Sequence, residues 1–173
     1  MEIRKLTKLD VREFWELRFE ALKSDENVFG ATYEEERKRP KEDLITKFNN
    51  NYINPREESF VLGAFNDENQ MIGVVGFYRE KRVKLRHKAT IWGMYVTSQY
   101  RRLKVGQSLI SEAINIAKSM EGLEQLNLIV VSNNIKAVSL YKTVGFVTYG
   151  KEKNAIKCGN KYFDEDYMVY FVK

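Results

Sequence analysis

Between residues 88 and 146 the hydrophobic pattern switches repeatedly between strand and helix periods, which restricts the fold more than any other feature of the chain. Residues 88–96 are rich in β-branched and aromatic side chains and read as a strand. Val105, Leu109, Ala113 and Ala117 then recur at helical spacing, with Ile110 and Ile114 beside them. Residues 126–131 are apolar but for Asn127 and read as the pattern of a strand buried on both faces. Residues 134–144 turn helical again and close on Gly145, in the helix-terminating position. Such alternation puts the chain in the α/β class, or α+β under a stricter division.

The flanks supply further elements. Residues 1–6 alternate weakly and read as a first strand. Asp10 is placed to cap a helix over residues 11 to about 23, with Val11, Phe14, Trp15, Leu17 and Leu22 broadly on one side. Residues 33–39 and 41–50 read as helical, divided by Pro40. Residues 60–65 and 71–78 are strand-like runs around Asn66-Asp67-Glu68-Asn69, a hairpin signal. Residues 146–150 and 166–171 read as the last strands. The 173 residues contain two prolines and no Gly/Ser-rich linker, repeat or low-complexity stretch, so one domain over 1–173 is expected.

Residue counts exclude several chemistries. One cysteine, Cys158, and one histidine, His87, disfavour a His/Cys metal cluster and a Ser–His–Asp triad, and no metal is expected. The first six residues lack the apolar stretch of a signal peptide, and no run approaches the ~18 apolar residues needed to span a bilayer. A cytoplasmic location and no membrane partner are therefore expected. The net charge of +5 favours an anionic partner, whether nucleic acid, acidic lipid or a phosphate-bearing cofactor.

Two constellations carry chemistry. Tyr100-Arg101-Arg102-Leu103-Lys104-Val105-Gly106-Gln107-Ser108 leads from a strand into an amphipathic helix. A helix start has four unpaired N–H groups and a partial positive charge. With Arg101, Arg102 and Lys104 beside it, and Gly106 allowing close approach, it reads as a phosphate cradle. A solvated basic turn is the plainer alternative. Downstream, Asn134, Ala137, Leu140 and Tyr141 fall on or near one helix face. Asn134 is able to cap the helix or touch a ligand, and the Tyr141 phenol to donate a proton. A core tyrosine with a satisfied hydroxyl is the alternative.

In these stretches the sequence resembles the GNAT superfamily of acyl-CoA-dependent N-acyltransferases. The family's loop pattern, Arg/Gln-x-x-Gly-x-Gly/Ala, is met by Arg101-Arg102-Leu103-Lys104-Val105-Gly106, with Lys104 in place of the first glycine. Its downstream pattern, Asn-x-x-Ala-x-x-Leu-Tyr-x-x-x-Gly-Phe, is met in full from Asn134 to Phe146. Trp92-Gly93-Met94-Tyr95-Val96 is similar to the family's central strand. The resemblance implies a mixed, mostly antiparallel twisted sheet flanked by helices, with a splayed strand pair forming the slot for CoA. It implies an N-acetyltransferase that moves an acetyl group from acetyl-CoA to a primary amine of a small molecule or peptide by direct attack. Met94, Tyr95 and Val96 would meet the pantetheine arm and acyl group, and Arg101, Arg102, Leu103, Lys104, Val105, Gly106, Gln107 and Ser108 the pyrophosphate. Asn134 and Ala137 would line the arm, and Tyr141 would be general acid to the CoA thiolate. A right-handed backbone is expected at Lys104, because the loop is entering a helix.

The general base is not evident. Glu34, Glu35 and Glu36 are candidates, as are Asp164, Glu165 and Asp166, or a water chain, and these acidic clusters weakly suggest a cationic acceptor. His87 and Cys158 are assigned no catalytic role. Residues 79–88 alternate basic side chains with Val83 and Leu85, as on a strand with one wet face. Without interleaved aromatics, nucleic acid is disfavoured as partner. A non-catalytic acyl-CoA-binding or interaction module on the same scaffold is the main competing reading, and a homodimer is left open.

Overall fold

The computed structural model describes residues 1–54 and 58–172. Seven strands form one sheet: β1 (Glu2–Lys5), β2 (Phe60–Phe65), β3 (Met71–Arg79), β4 (Lys88–Val96), β5 (Gln125–Val131), β6 (Val147–Cys158) and β7 (Lys161–Phe171). Their order is β1-β2-β3-β4-β5-β7-β6, and only β4 and β5 run parallel. The helices are α1 (Val11–Ser24), α2 (Tyr33–Arg37), α3 (Lys41–Lys47), α4 (Val105–Lys118) and α5 (Ile135–Thr143). A π-helical turn, Phe48–Tyr52, extends α3. The mostly antiparallel sheet with flanking helices agrees with the expected class.

Each sheet face carries its own core. On one, Leu109, Ile110, Ala113 and Ala117 of α4 are fully buried against Leu126, Leu128 and Val130 of β5 and Met168 of β7. On the other, Phe14, Trp15 and Leu17 of α1 pack with Phe48, Val74 and Tyr95. Burying each large apolar side chain stabilises the fold by about 1.5–3 kcal/mol, which overrides the modest helix propensity of α1's aromatics.

β4 contributes to both cores, since its side chains alternate between the two faces, and it bulges. Its register against β3 steps from Gly76↔Trp92 to Val74↔Tyr95, so β4 holds one extra residue. Gly93 takes φ +60°, open to glycine at no steric cost. The bulge turns Trp92 and Tyr95, three apart, toward the α1 side, while Met94 and Val96 pack toward α4. Gly76 makes room for the indole: a Cβ there would lie 2.1 Å from Trp92 Cε2.

Several local expectations are corrected. Asp10 does not cap α1; Thr7 forms a capping box with Asp10, and the Asp10 carboxylate takes Arg4 at 2.7 Å and the Thr7 amide at 2.7 Å. Residues 126–131 are not buried on both faces, because Ile129 is 51% exposed where β4 has left its neighbour. Residues 79–88 are not one strand: Val83–Leu85 is a 3-10 turn. Buried Arg79 there binds Glu58 at 2.9 Å and the Glu121 carbonyl at 2.8 Å, and Arg86 also pairs with Glu58. The last two strands form a hairpin far longer than their apolar ends suggest. The Asn66–Asn69 turn forms as expected, with Asn69 left-handed at φ +58° and the Asn66 side chain accepting from the Gln70 amide.

Candidate functional site

The site opens where two parallel strands part. β4 pairs with β5 only over Lys88–Thr90 against Gln125–Asn127, although both strands continue. Beyond Thr90, the β4 backbone groups on that side lack a neighbouring strand, and such groups need partners. The gap widens into a cleft of about 480 Å³. Met94, Tyr95 and Val96 line one wall, and Asn134, Ala137 and Leu140 of the following helical segment line the other.

The N-terminus of α4 closes one end. Lys104 is its N-cap, and the Ser108 amide already bonds the Lys104 carbonyl at 2.9 Å. The four amides before it, from Lys104 to Gln107, are those without an intrahelical acceptor. Gly106 lets this turn approach the opposite wall: a Cβ there would meet Leu140 Cδ2 at 3.3 Å and Met94 Sδ at 3.6 Å. Arg102, Lys104, Val105, Gly106 and Gln107 all line the cleft, as does Lys136 from the first turn of α5. Amides, a helix dipole and cations converging on one hollow suit phosphate.

The expected backbone at Lys104 is wrong. It takes φ +62°, ψ 10°, and Arg102 takes φ +69°. α4 begins one residue later, so Lys104 lies in the turn that swings the chain from β4 into the helix, and tertiary context imposes the left-handed conformation. That conformation costs an L-residue about 1–2 kcal/mol.

Arg101 lines the cleft, but its guanidinium is committed. It donates to Asp25 at 2.6 Å and to the Val96 carbonyl at 2.9 Å, and lies 5.3 Å from the Tyr95 ring. The Tyr95 hydroxyl in turn bonds Glu20 at 2.8 Å. Arg101 therefore ties α1 to β4 and neutralises Asp25. Leu103 (63% exposed) and Ser108 do not line the cleft.

Asn134 caps α5, its Oδ1 accepting from the Ala137 amide at 3.3 Å, which leaves its NH₂ for a ligand. Tyr141 is buried and packs edge-on against Phe146, with ring centroids 5.9 Å apart. Among the described residues its hydroxyl has no protein partner, and burial pushes its pKa up, so it is a protonated donor at neutral pH. It is not itself part of the cleft lining; Ala137 and Leu140 stand on that side of its helix.

Most base candidates are spent on structure. Glu35 closes a capping box with Thr32, Glu34 faces Arg37, and buried Glu36 binds Lys47 at 2.7 Å. Asp164 holds Lys153 at 2.8 Å, and Asp166 takes Ser132 Oγ at 2.7 Å. Glu165 alone of the six has no hydrogen bond or ion pair among the described residues, and burial, helped by repulsion from Glu152, raises its pKa. It lies two residues along one strand face from Phe163, which lines an adjoining hollow with Asn133 and Asn134. His87 serves through its carbonyl, which accepts from Glu124 and Gln125. No metal-binding group of His, Cys, Asp or Glu occurs among the described residues, nor a helix long and apolar enough to cross a membrane.

Sequence reading missed Asp25, Val28, Phe29 and Lys136 in the cleft, and gave Tyr100, the first residue of the basic stretch, no role there. Lys136 sat inside the downstream pattern at an unspecified position. The first three come from the end of α1 and the loop after it, and nothing in their local sequence tells that this loop returns to β4.

The comparisons agree with this geometry. A family model described as "Acetyltransferase (GNAT) domain" matches residues 3–167. No curated protein matches the sequence. Among solved structures, a GNAT-family acetyltransferase from Streptococcus pneumoniae superposes with TM-score 0.80 at 23% identity, covering 99% of each chain. A ribosomal-protein-alanine N-acetyltransferase from Brucella melitensis gives 0.77 at 19% identity, again over 99% of each. A phosphinothricin acetyltransferase from Sinorhizobium meliloti in complex with AcCoA gives 0.83 at 16% identity, over 99% of this chain and 88% of that one.

Proposed function

The chain belongs to the GNAT acetyltransferase family, whose acyl donor is acetyl-CoA, and on that premise we propose that it acetylates a primary amine by direct attack in a ternary complex. The observation that carries this reading is the parting of β4 from β5 beside the free N-terminus of α4. Unpaired β4 backbone groups suit the amide-bearing pantetheine arm, as an added strand would. The α4 amides with Arg102, Lys104 and Lys136 suit the pyrophosphate.

In the transfer, the amine nitrogen attacks the thioester carbonyl carbon. A C–N bond forms, the C–S bond breaks, and the sulfur takes a proton. Tyr141, neutral, without a protein partner among the described residues and standing just behind the wall formed by Ala137 and Leu140, is the donor. The nitrogen's surplus proton leaves through Glu165, directly or by way of water. A raised carboxylate pKa brings that group nearer to the working pH of a base. The tetrahedral oxyanion is stabilised by a backbone N–H of β4 at the bulge.

Mixing the protein with acetyl-CoA and an amine panel should release free thiol. An acetyl-CoA-induced rise in melting temperature with no thiol release from any amine would favour the non-catalytic binding module instead.

A further inference from the structure

Three buried side-chain atoms among the described residues lack a hydrogen bond: Arg18 Nη1, Glu36 Oε2 and Asn49 Oδ1. Native folds leave few such atoms. Here all three fall within the α1–α3 arm and the π-turn after it, on the side of the sheet that receives Trp92 and Tyr95. A missing polar ligand explains that concentration better than three separate defects.

The charges there do not balance. Glu36 is the buried carboxylate of the arm, and its charge is offset twice over: Lys47 holds Oε1 at 2.7 Å and Arg39 Nε stands 3.2 Å from Oε2, without hydrogen-bond geometry. Arg18 feels Glu36 but makes no ion pair with it. Among the described residues, three cations thus face this one buried carboxylate, and the surplus belongs to Arg18.

Arg18 also lies close to the reaction centre. Its guanidinium stands 4.6 Å from the Phe29 ring. Phe29 lines the cleft beside Met94 and Tyr95. Tyr52, within electrostatic range of Arg18, packs on Trp92 at 4.5 Å, and Trp92 adjoins the Gly93 bulge. Phe29 alone separates the guanidinium from the cleft wall at Met94 and Tyr95, and Tyr52 with Trp92 separates it from the Gly93 bulge where the acyl group would lie.

We propose that Arg18 binds a carboxylate on the acceptor, so that the substrate class is small amino acids rather than polyamines or other purely cationic amines. This rests on the acyltransferase reading above and replaces the cationic acceptor that the acidic clusters at 34–36 and 164–166 suggest from sequence. A guanidinium without an acceptor among the described residues is matched by the two oxygens of a carboxylate, and that charge-assisted pair is the strong kind.

The test uses the standard amino acids and β-alanine, each paired with its carboxamide. Acids should exceed their amides in kcat/KM by at least about tenfold, the scale of one charge-assisted hydrogen bond. Arg18→Met should erase that preference through KM, with acetyl-CoA affinity unchanged, and Arg18→Lys should restore part of it. Arg18→Met should also melt higher than the parent, because it removes an unpaired buried charge. A purely structural arginine would lower the melting temperature instead. Equal rates on acid and amide, an unchanged KM in Arg18→Met, or a lower melting temperature would each overturn the proposal. Binding of the same pairs is read by thermal shift with CoA present. Acid-selective binding without transfer to any amine would sink the acyltransferase reading and leave the Arg18 site standing; absence of acid-selective binding would sink the site.

Discussion

Lys104 offers the sharpest test of the cleft, because strain and charge act there at once and two substitutions separate them. Its φ of +62° costs a residue with a Cβ about 1–2 kcal/mol. Glycine escapes that cost but loses about 0.5–1 kcal/mol more in backbone entropy on folding. Lys104→Gly should therefore be more stable than Lys104→Ala by about 0.5–1 kcal/mol. For a chain of this size that is about 1–4 °C in melting temperature, measurable by circular dichroism. Both variants lose the same ammonium at the helix start. Both should bind CoA more weakly by a similar factor, up to about fivefold at low salt, since an exposed ion pair such as ammonium with phosphate contributes about 0.2–1 kcal/mol. Titration calorimetry at ~50 mM and ~500 mM salt should show the deficit shrinking as screening increases. An alanine variant as stable as the glycine variant would refute the left-handed backbone. A CoA deficit in only one of them would refute the purely electrostatic role of the side chain.

Three further outcomes follow from the geometry. Tyr141→Phe should reduce turnover by about 10²–10³-fold while leaving CoA binding intact, and unchanged turnover would remove the assigned acid. Gly76→Ala should destabilise the fold by about 1–3 kcal/mol in denaturant titration and shift the tryptophan emission, because its Cβ would lie 2.1 Å from Trp92 Cε2 and the indole must move. Arg4, with the Thr7 amide, holds the Asp10 carboxyl below the usual carboxylate range, so its contribution is present above pH ~4 and lost as pH falls through the folded-state value. Asp10→Asn should accordingly cost about 1–3 kcal/mol at neutral pH, with the gap to the parent closing in acid.

How much of this was legible in the sequence depends on whether an element has a buried face. β4, α4 and β5 read correctly because their apolar residues recur at the period of the structure they form. β6 did not, since its middle, Lys151-Glu152-Lys153-Asn154, is exposed throughout and leaves no alternation to detect. The bulge in β4 was also hidden: a glycine flanked by Trp92 and Met94 looks like ordinary strand, and only pairing with β3 reveals the extra residue. The cleft's two sequence-local walls were legible from their motifs, whereas the third, formed by Asp25 and Phe29, depends on a tertiary return. Lys104 shows the limit of propensity: a lysine argues for right-handed backbone, and the turn into α4 overrides it.

Charge was the least legible property, because what selects a ligand is charge left without a partner in the fold. Residues 34–36 are three carboxylates in a row, yet each is consumed within the arm. Arg101 heads the basic loop, yet Asp25 neutralises it. Arg79 and Arg86, part of the basic run that suggested nucleic acid, are both held by Glu58. Among the described residues, the cleft's unpaired cations are then Arg102, Lys104 and Lys136, which come from two different helix starts and face one hollow. A cofactor with a pyrophosphate matches that convergence, because its charge is concentrated within the span of one turn. A nucleic-acid backbone would need cations spread along a surface, and pairing has removed two of the cations best placed to provide it.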